Sequence, residues 1–189
     1  LDRKERVEAA KNSLRVALKD WTEDEKEAHV ARGYPSYWLS FDTDSHFRHA
    51  HLIRRADDAG RTFTFDARVD EFRAVTEVTI YCPAHHGLFA GIAGAMAVSG
   101  ANIVDARVSS TKDGMALDMF WIQDASGGPY ERPEHLKRLA NTIEETLTRD
   151  YKPAQVLAER TTLPSRTKVF TVAPRVLVDN KASATYTVV

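Results

Sequence analysis

Asp42-Thr43-Asp44 and the histidines His46, His49 and His51 are the side chains best suited to metal chemistry, and they lie close together in the chain. Two carboxylates one residue apart can converge on a hard cation such as magnesium, as they do at phosphate-transferring centres. His46 and His49 are three residues apart, so a helix would set both imidazoles on one face as metal-ligating histidines require. Each set also has a plainer use. Asp42 stands where a helix N-cap would stand, and histidines at this spacing also serve packing or surface polarity. A third place suits another chemistry: Cys82-Pro-Ala-His-His-Gly87 leads into a helical stretch that opens at Leu88. The positive end of that helix, with N–H groups at Gly87 and Leu88, can receive the carboxylate of a free amino acid.

The elements that must position these residues follow from periodicity. Residues 76–81 alternate, with Val78 and Ile80 on one face and Glu77 and Thr79 on the other, the period of a half-buried strand. Leu88, Phe89, Ile92, Ala93, Met96 and Ala97 then recur at three- and four-residue spacing, which predicts a helix. Gly91 and Gly94 remove side chains where helix and sheet backbones would approach, and Ser99-Gly100 closes the helix. Residues 102–110 are rich in β-branched side chains, and Lys112-Asp-Gly114 supplies a hairpin turn before a third strand at 115–123. Met115, Leu117, Met119 and Trp121 share one face of that strand and Ala116, Asp118, Phe120 and Ile122 the other, so it is expected to be covered on both sides. Pro133 opens a helix with Leu136, Leu139, Ala140, Ile143 and Leu147 on one stripe. A fourth strand at 168–178 would complete an α+β, ferredoxin-like βαββαβ sandwich.

Residues 1–60 read as a helical extension. Val7, Ala10, Leu14, Ala17, Leu18 and Trp21 form one helical stripe, Thr22 and Glu25 make a capping box for a second helix that Gly33 stops, and 45–58 is a third stretch with Phe47, Ala50, Leu52 and Ile53 as buried contacts. The chain thus divides into this extension, a sheet domain over 61–178 with an insertion near 151–167, and a remnant at 179–189. At 189 residues with 43% hydrophobic content it can form an ordinary core. Lys+Arg 26 against Asp+Glu 27 leaves no electrostatic footprint for nucleic acid or an anionic membrane. Cys82 is the only cysteine, which excludes an intrachain disulfide and fits a reducing cytoplasm. There is no apolar run long enough to span a membrane, and Leu1 in place of methionine suggests a piece of something longer.

Four stretches carry a family resemblance: Thr76-Glu-Val-Thr-Ile-Tyr81, the loop from Cys82 and Pro83 through Gly87-Leu-Phe89, Ala101-Asn-Ile-Val-Asp-Ala-Arg107, and above all Asp113-Gly-Met-Ala-Leu-Asp-Met-Phe-Trp121. With them the chain resembles the C-terminal regulatory region of the bacterial bifunctional uridylyltransferase/uridylyl-removing enzymes, which modify the nitrogen-signalling protein PII. Tyr34-Pro-Ser-Tyr-Trp-Leu39 resembles the segment leaving that family's HD domain, residues 61–178 its first ACT domain, and 179–189 the entry strand of a second. The resemblance implies a cytoplasmic, glutamine-sensing segment that controls uridylylation of PII. It also implies that catalysis lies elsewhere: the family's transferase motif has a Gly-Ser upstream, absent before Asp42, and its hydrolase centre a His-Asp pair, absent from the chain. No catalytic residue, metal ligand or cofactor is therefore expected here, and magnesium is expected only for the whole enzyme. ACT domains that bind amino acids place Asp or Asn three residues before the loop glycine and bring the asparagine of a Gly-x-Asn-Ile motif from a partner domain. Asn102 matches the second feature, whereas Ala84 occupies the first position and His86 stands where proline is common. His86, Gly87, Leu88 and Asn102 are accordingly the candidate ligand residues, with ACT–ACT pairing or a homodimer to bring them together. A structural ACT pairing module without an effector is the alternative, and an independent hydrolase built on the histidines is a third reading.

Overall fold

The computed structural model describes residues 1–148. The chain opens with α1 (Arg3–Ala17) and α2 (Glu23–Val30), each started by a reciprocal capping box: Asp2 with Glu5, and Thr22 with Glu25. Two further helices, α3 (Pro35–Ser40) and α4 (Thr43–Asp58), complete the extension. Its core gathers Leu14, Leu18, Trp38, Ala50 and Ile53. The α2–α3 connection passes so close to Trp38 that a Cβ on Gly33 would lie 2.7 Å from the indole nitrogen. Only glycine fits there. Phe47, expected among the buried contacts of α4, is instead 38% exposed, with its ring beside His51.

The remainder is an antiparallel sheet with helices on one face: β1 (Thr64–Asp70), β2 (Val75–Pro83), α5 (Leu88–Val98), β3 (Asn102–Arg107), β4 (Met115–Gln123) and α6 (Pro133–Thr148). The strand order is β1-β2-β4-β3. This is the α+β, ferredoxin-like arrangement that the sequence predicts. One strand was not anticipated. β1 alternates Phe65, Ala67 and Val69 with Asp66, Arg68 and Asp70, and it forms a hairpin with β2 from Thr64↔Tyr81 to Asp70↔Val75. Among the described residues, β1 occupies the sheet edge beside β2. The strand expected at 168–178, the insertion at 151–167 and the remnant at 179–189 lie outside the described residues. Gly91 faces α6 and not the sheet, since a Cβ there would meet Thr146 Cγ2 at 3.5 Å.

β4 is buried at every position from Ala116 to Ile122. Ala116, Phe120 and Ile122 pack with Ile92, Met96, Leu139 and Ile143 of α5 and α6. Leu117, together with Tyr81 of β2, joins the core of the helical extension, while Met119 and Trp121 cluster with Val75 against Phe41. The sheet is therefore the middle layer of three.

Buried histidines occupy the junction between the extension and the sheet. His49 Nδ1 lies 3.0 Å from the Tyr37 hydroxyl and its Nε2 3.1 Å from Met119 Sδ, so one ring spans both layers. Burial lowers the pKa of His46, of His29 to about 4 and of His49 to about 3. An unfolded imidazole titrates near ~6.5, so between that value and the folded values the unfolded chain binds more protons. The contribution of these rings is full above about pH 6.5 and is lost as pH falls. Asp118 acts oppositely: burial raises its carboxyl to about 6, so its contribution is full at low pH and lost as pH rises through that value. Three histidines outweigh one aspartate. The urea midpoint should fall between about pH 7 and pH 5, and His49→Gln should flatten that slope; a midpoint independent of pH over this range would contradict the assignment.

Candidate functional site

The segment from β2 into α5 is exposed over residues 83–87, and the chain turns back into the core at Leu88. Gly87 makes that turn with φ of 81°, a left-handed conformation that a side chain would strain. No side chain caps α5, and its first turn carries no acidic residue. The positive end of the helix dipole is thus not offset locally, the setting in which a carboxylate binds. Leu88 is 6% exposed and packs in the sheet–helix core, and its N–H donates to His85 O at 3.3 Å within the loop. His86 is exposed, and its carbonyl lies 3.0 Å from His85 Nδ1.

The loop is also tied to the β3–β4 turn, a contact not apparent from the sequence. Ala84 N–H donates to Gly114 O at 3.0 Å. One pleat inside lies Asp118, 3% exposed, whose carboxyl accepts the Ser109 N–H and whose charge adds to the burial that pushes the Cys82 thiol up to about 12. An aspartate in an otherwise apolar strand face was the available sequence signal.

Asn102 does not join this loop within one chain. It is the first residue of β3 and pairs with Gln123 at one end of β4, whereas Pro83 pairs with Met115 at the other end. The eight intervening steps along β4 separate them by about 25 Å. His86, Gly87 and Leu88 are brought together, and Asn102 would need to come from another copy of such a domain. Asn102 is exposed and free to do so.

The metal-like clusters have structural roles. Asp42 is the N-cap of α4, with its Oδ1 accepting Ser45 N–H at 2.8 Å, and those bonds to Ser45 lower its pKa. His46 is 1% exposed among Tyr37, Trp38 and Phe41, and His51 sits edge-on to Trp21. Among the described residues, no group of three or more His, Cys, Asp or Glu side chains is arranged to hold a metal ion. A cavity of about 10 Å³ between His29, Gly33, Tyr37 and Thr111 has room for a water at most. A hollow of about 520 Å³ opens between Phe63, Phe65 and Ala140 and includes no residue of the loop.

No family model matches the chain. Curated relatives do. Over 186 residues, 97% of the chain, it is 47% identical to a bifunctional uridylyltransferase/uridylyl-removing enzyme of Azospirillum brasilense, and over 188 residues, 99% of the chain, 44% identical to one of Rhodospirillum rubrum. The corresponding protein of Ruegeria pomeroyi is 39% identical over 191 residues, 100% of the chain. The chain belongs to this enzyme family as a segment of it. It spans about a fifth of the length of the relatives it matches, 20% for the first two and 21% for the third. The identity extends through the helical extension as well as the sheet, so the family segment includes both layers. No helix among the described residues is long and apolar enough to cross a membrane.

The loop geometry makes Gly87 and Asn102 separable. Gly87→Ala should cost about 1–2 kcal/mol of stability through the left-handed backbone, whereas exposed Asn102→Ala should stay within about 0.5 kcal/mol of the parent. Urea unfolding of both variants measures the difference, and equal midpoints would contradict it.

Proposed function

We propose that the chain is the regulatory segment of a uridylyltransferase/uridylyl-removing enzyme acting on PII, with residues 1–60 as linker, 61–178 as first ACT domain and 179–189 as the start of a second. Glutamine is its effector. The observation that carries this reading is the placement of the candidate residues: an uncapped helix start at Gly87 and Leu88, with Asn102 at the far end of the sheet. The carboxylate would sit on the α5 N-terminus, and a paired ACT domain would bring Asn102 to the side chain or ammonium. Effector binding then depends on domain pairing and shifts the enzyme between arrangements in which transfer or removal is favoured. The uridylyl-transfer and hydrolysis steps, with their magnesium, belong to other parts of the cytoplasmic enzyme.

Ala84 sets the strength of the response. It offers no side-chain acceptor to the ammonium group, so the isolated chain should bind glutamine weakly in calorimetric titration, and more tightly as protein concentration favours pairing. Asn102→Ala should remove that binding. Ala84→Asp should strengthen it by about 1.5–3 kcal/mol, the contribution of a charge-assisted contact. Tight binding by a monomer, unchanged in Asn102→Ala, would overturn the shared-site reading.

The reading of a pairing module without effector draws on β3, an edge strand of the described sheet whose Val104 is 53% exposed, with Val108 just beyond it 62% exposed. A stable dimer with no heat on glutamine addition at any protein concentration would favour it.

A further inference from the structure

Arg32 lies where three parts of the molecule meet. Its Nη2 donates to Asp57 Oδ2 of α4 at 2.6 Å, and its Nη1 reaches the Tyr81 hydroxyl of β2 at 3.2 Å and Asp113 Oδ2 of the β3–β4 turn at 3.4 Å. Its backbone takes part as well. Lys112 N–H donates to Arg32 O at 2.8 Å, and Gly33 forms an antiparallel bridge with Thr111. The residue thus holds the turn by both main chain and side chain, while the same guanidinium holds α4.

The turn is stiff in itself. The Thr111 hydroxyl bonds to the Asp113 carboxylate, Met115 N–H donates to Thr111 Oγ1 at 3.0 Å, and Gly114 N–H donates to Thr111 O at 3.1 Å. At its far side Gly114 O accepts the N–H of Ala84 in the loop that leads to Gly87. A continuous path of hydrogen bonds therefore runs from that loop, through the turn, to Arg32 and into the helical extension. Individually, the ion pairs of a part-exposed guanidinium contribute little to stability. Four contacts from one residue to three elements are better suited to fixing relative position than to adding stability.

We infer that Arg32 is a coupling clamp: it transmits movement of the loop before α5 to α2 and α4, so that occupation of the loop is felt in the helical extension. This rests on the reading of the loop as the effector site and gives the route by which that site is heard. Coupling of this kind means that a change at one end alters the other.

Amide hydrogen exchange on the full 189-residue chain, with no ligand added, provides that measurement and is independent of whether glutamine binds. Arg32→Gln removes the fork while retaining a polar side chain, and Asp113→Asn weakens its arm to the turn while keeping an Oδ1 that can accept the Thr111 hydroxyl. Both should accelerate exchange at Gly114 and Ala84 by about tenfold, leaving the sheet centre at Ile80 and Phe120 unchanged. Perturbing the turn from within by Gly114→Ala, at φ of 83°, should in return accelerate exchange at Ala31, the C-cap of α2. An unchanged rate at Ala84 in either Arg32→Gln or Asp113→Asn overturns the clamp. So does uniform acceleration that includes Ile80 and Phe120 in both, since Arg32 would then be ordinary support for the fold.

Discussion

Burial of β4 on both faces is the constraint on which the rest of the structure depends. A strand with apolar side chains pointing both ways has no face to offer water, so two layers must cover it. α5 and α6 cover Phe120 and Ile122, and the α1–α4 extension covers Leu117 and the Met119 side. The extension is therefore half of the shell around one strand and not an appendage to the sheet domain. The matches to its relatives, which cover 97–99% of the chain and so both parts, accord with this.

The polar groups at the layer junction specify how the covering is done. His49 bridges Tyr37 and Met119 and is held neutral by burial, and Arg32 joins α4 to the turn that also holds the loop before α5. Buried polar groups restrict the ways two apolar surfaces can slide, because each alternative packing would leave a donor or acceptor unpaired. The loop over residues 83–87, by contrast, is exposed and has no side-chain cap, and it is held by the Ala84–Gly114 bond on one side and by buried Leu88 on the other.

Much of this was legible in the sequence where local chemistry decides the outcome. The capping boxes at Asp2–Glu5 and Thr22–Glu25, the turn at Asp113-Gly114 and the two-faced pattern of residues 115–123 all act through neighbours in the chain. β1 was missed although Phe65, Ala67 and Val69 alternate, because Asp66, Arg68 and Asp70 make an edge strand read as a polar connection. At the candidate site, the glycine turn and helix start could be read directly. What could not be read was distance: Asn102 is fifteen residues after Gly87 in the chain, yet strand register sends it to the opposite end of the sheet. The Ala84–Gly114 bond and the Arg32 contacts likewise depend on tertiary register and not on any local pattern.

If the extension and the sheet are one folding unit around β4, their most protected amides must open together. Native-state hydrogen exchange as a function of denaturant tests this at Ile53 in α4 and Phe120 in β4. Convergence of the two onto one opening free energy with one denaturant slope is the predicted result. Opening of Ile53 at lower free energy and with a smaller slope, while Phe120 stays protected, would show that the helical layer unfolds separately and would contradict the account.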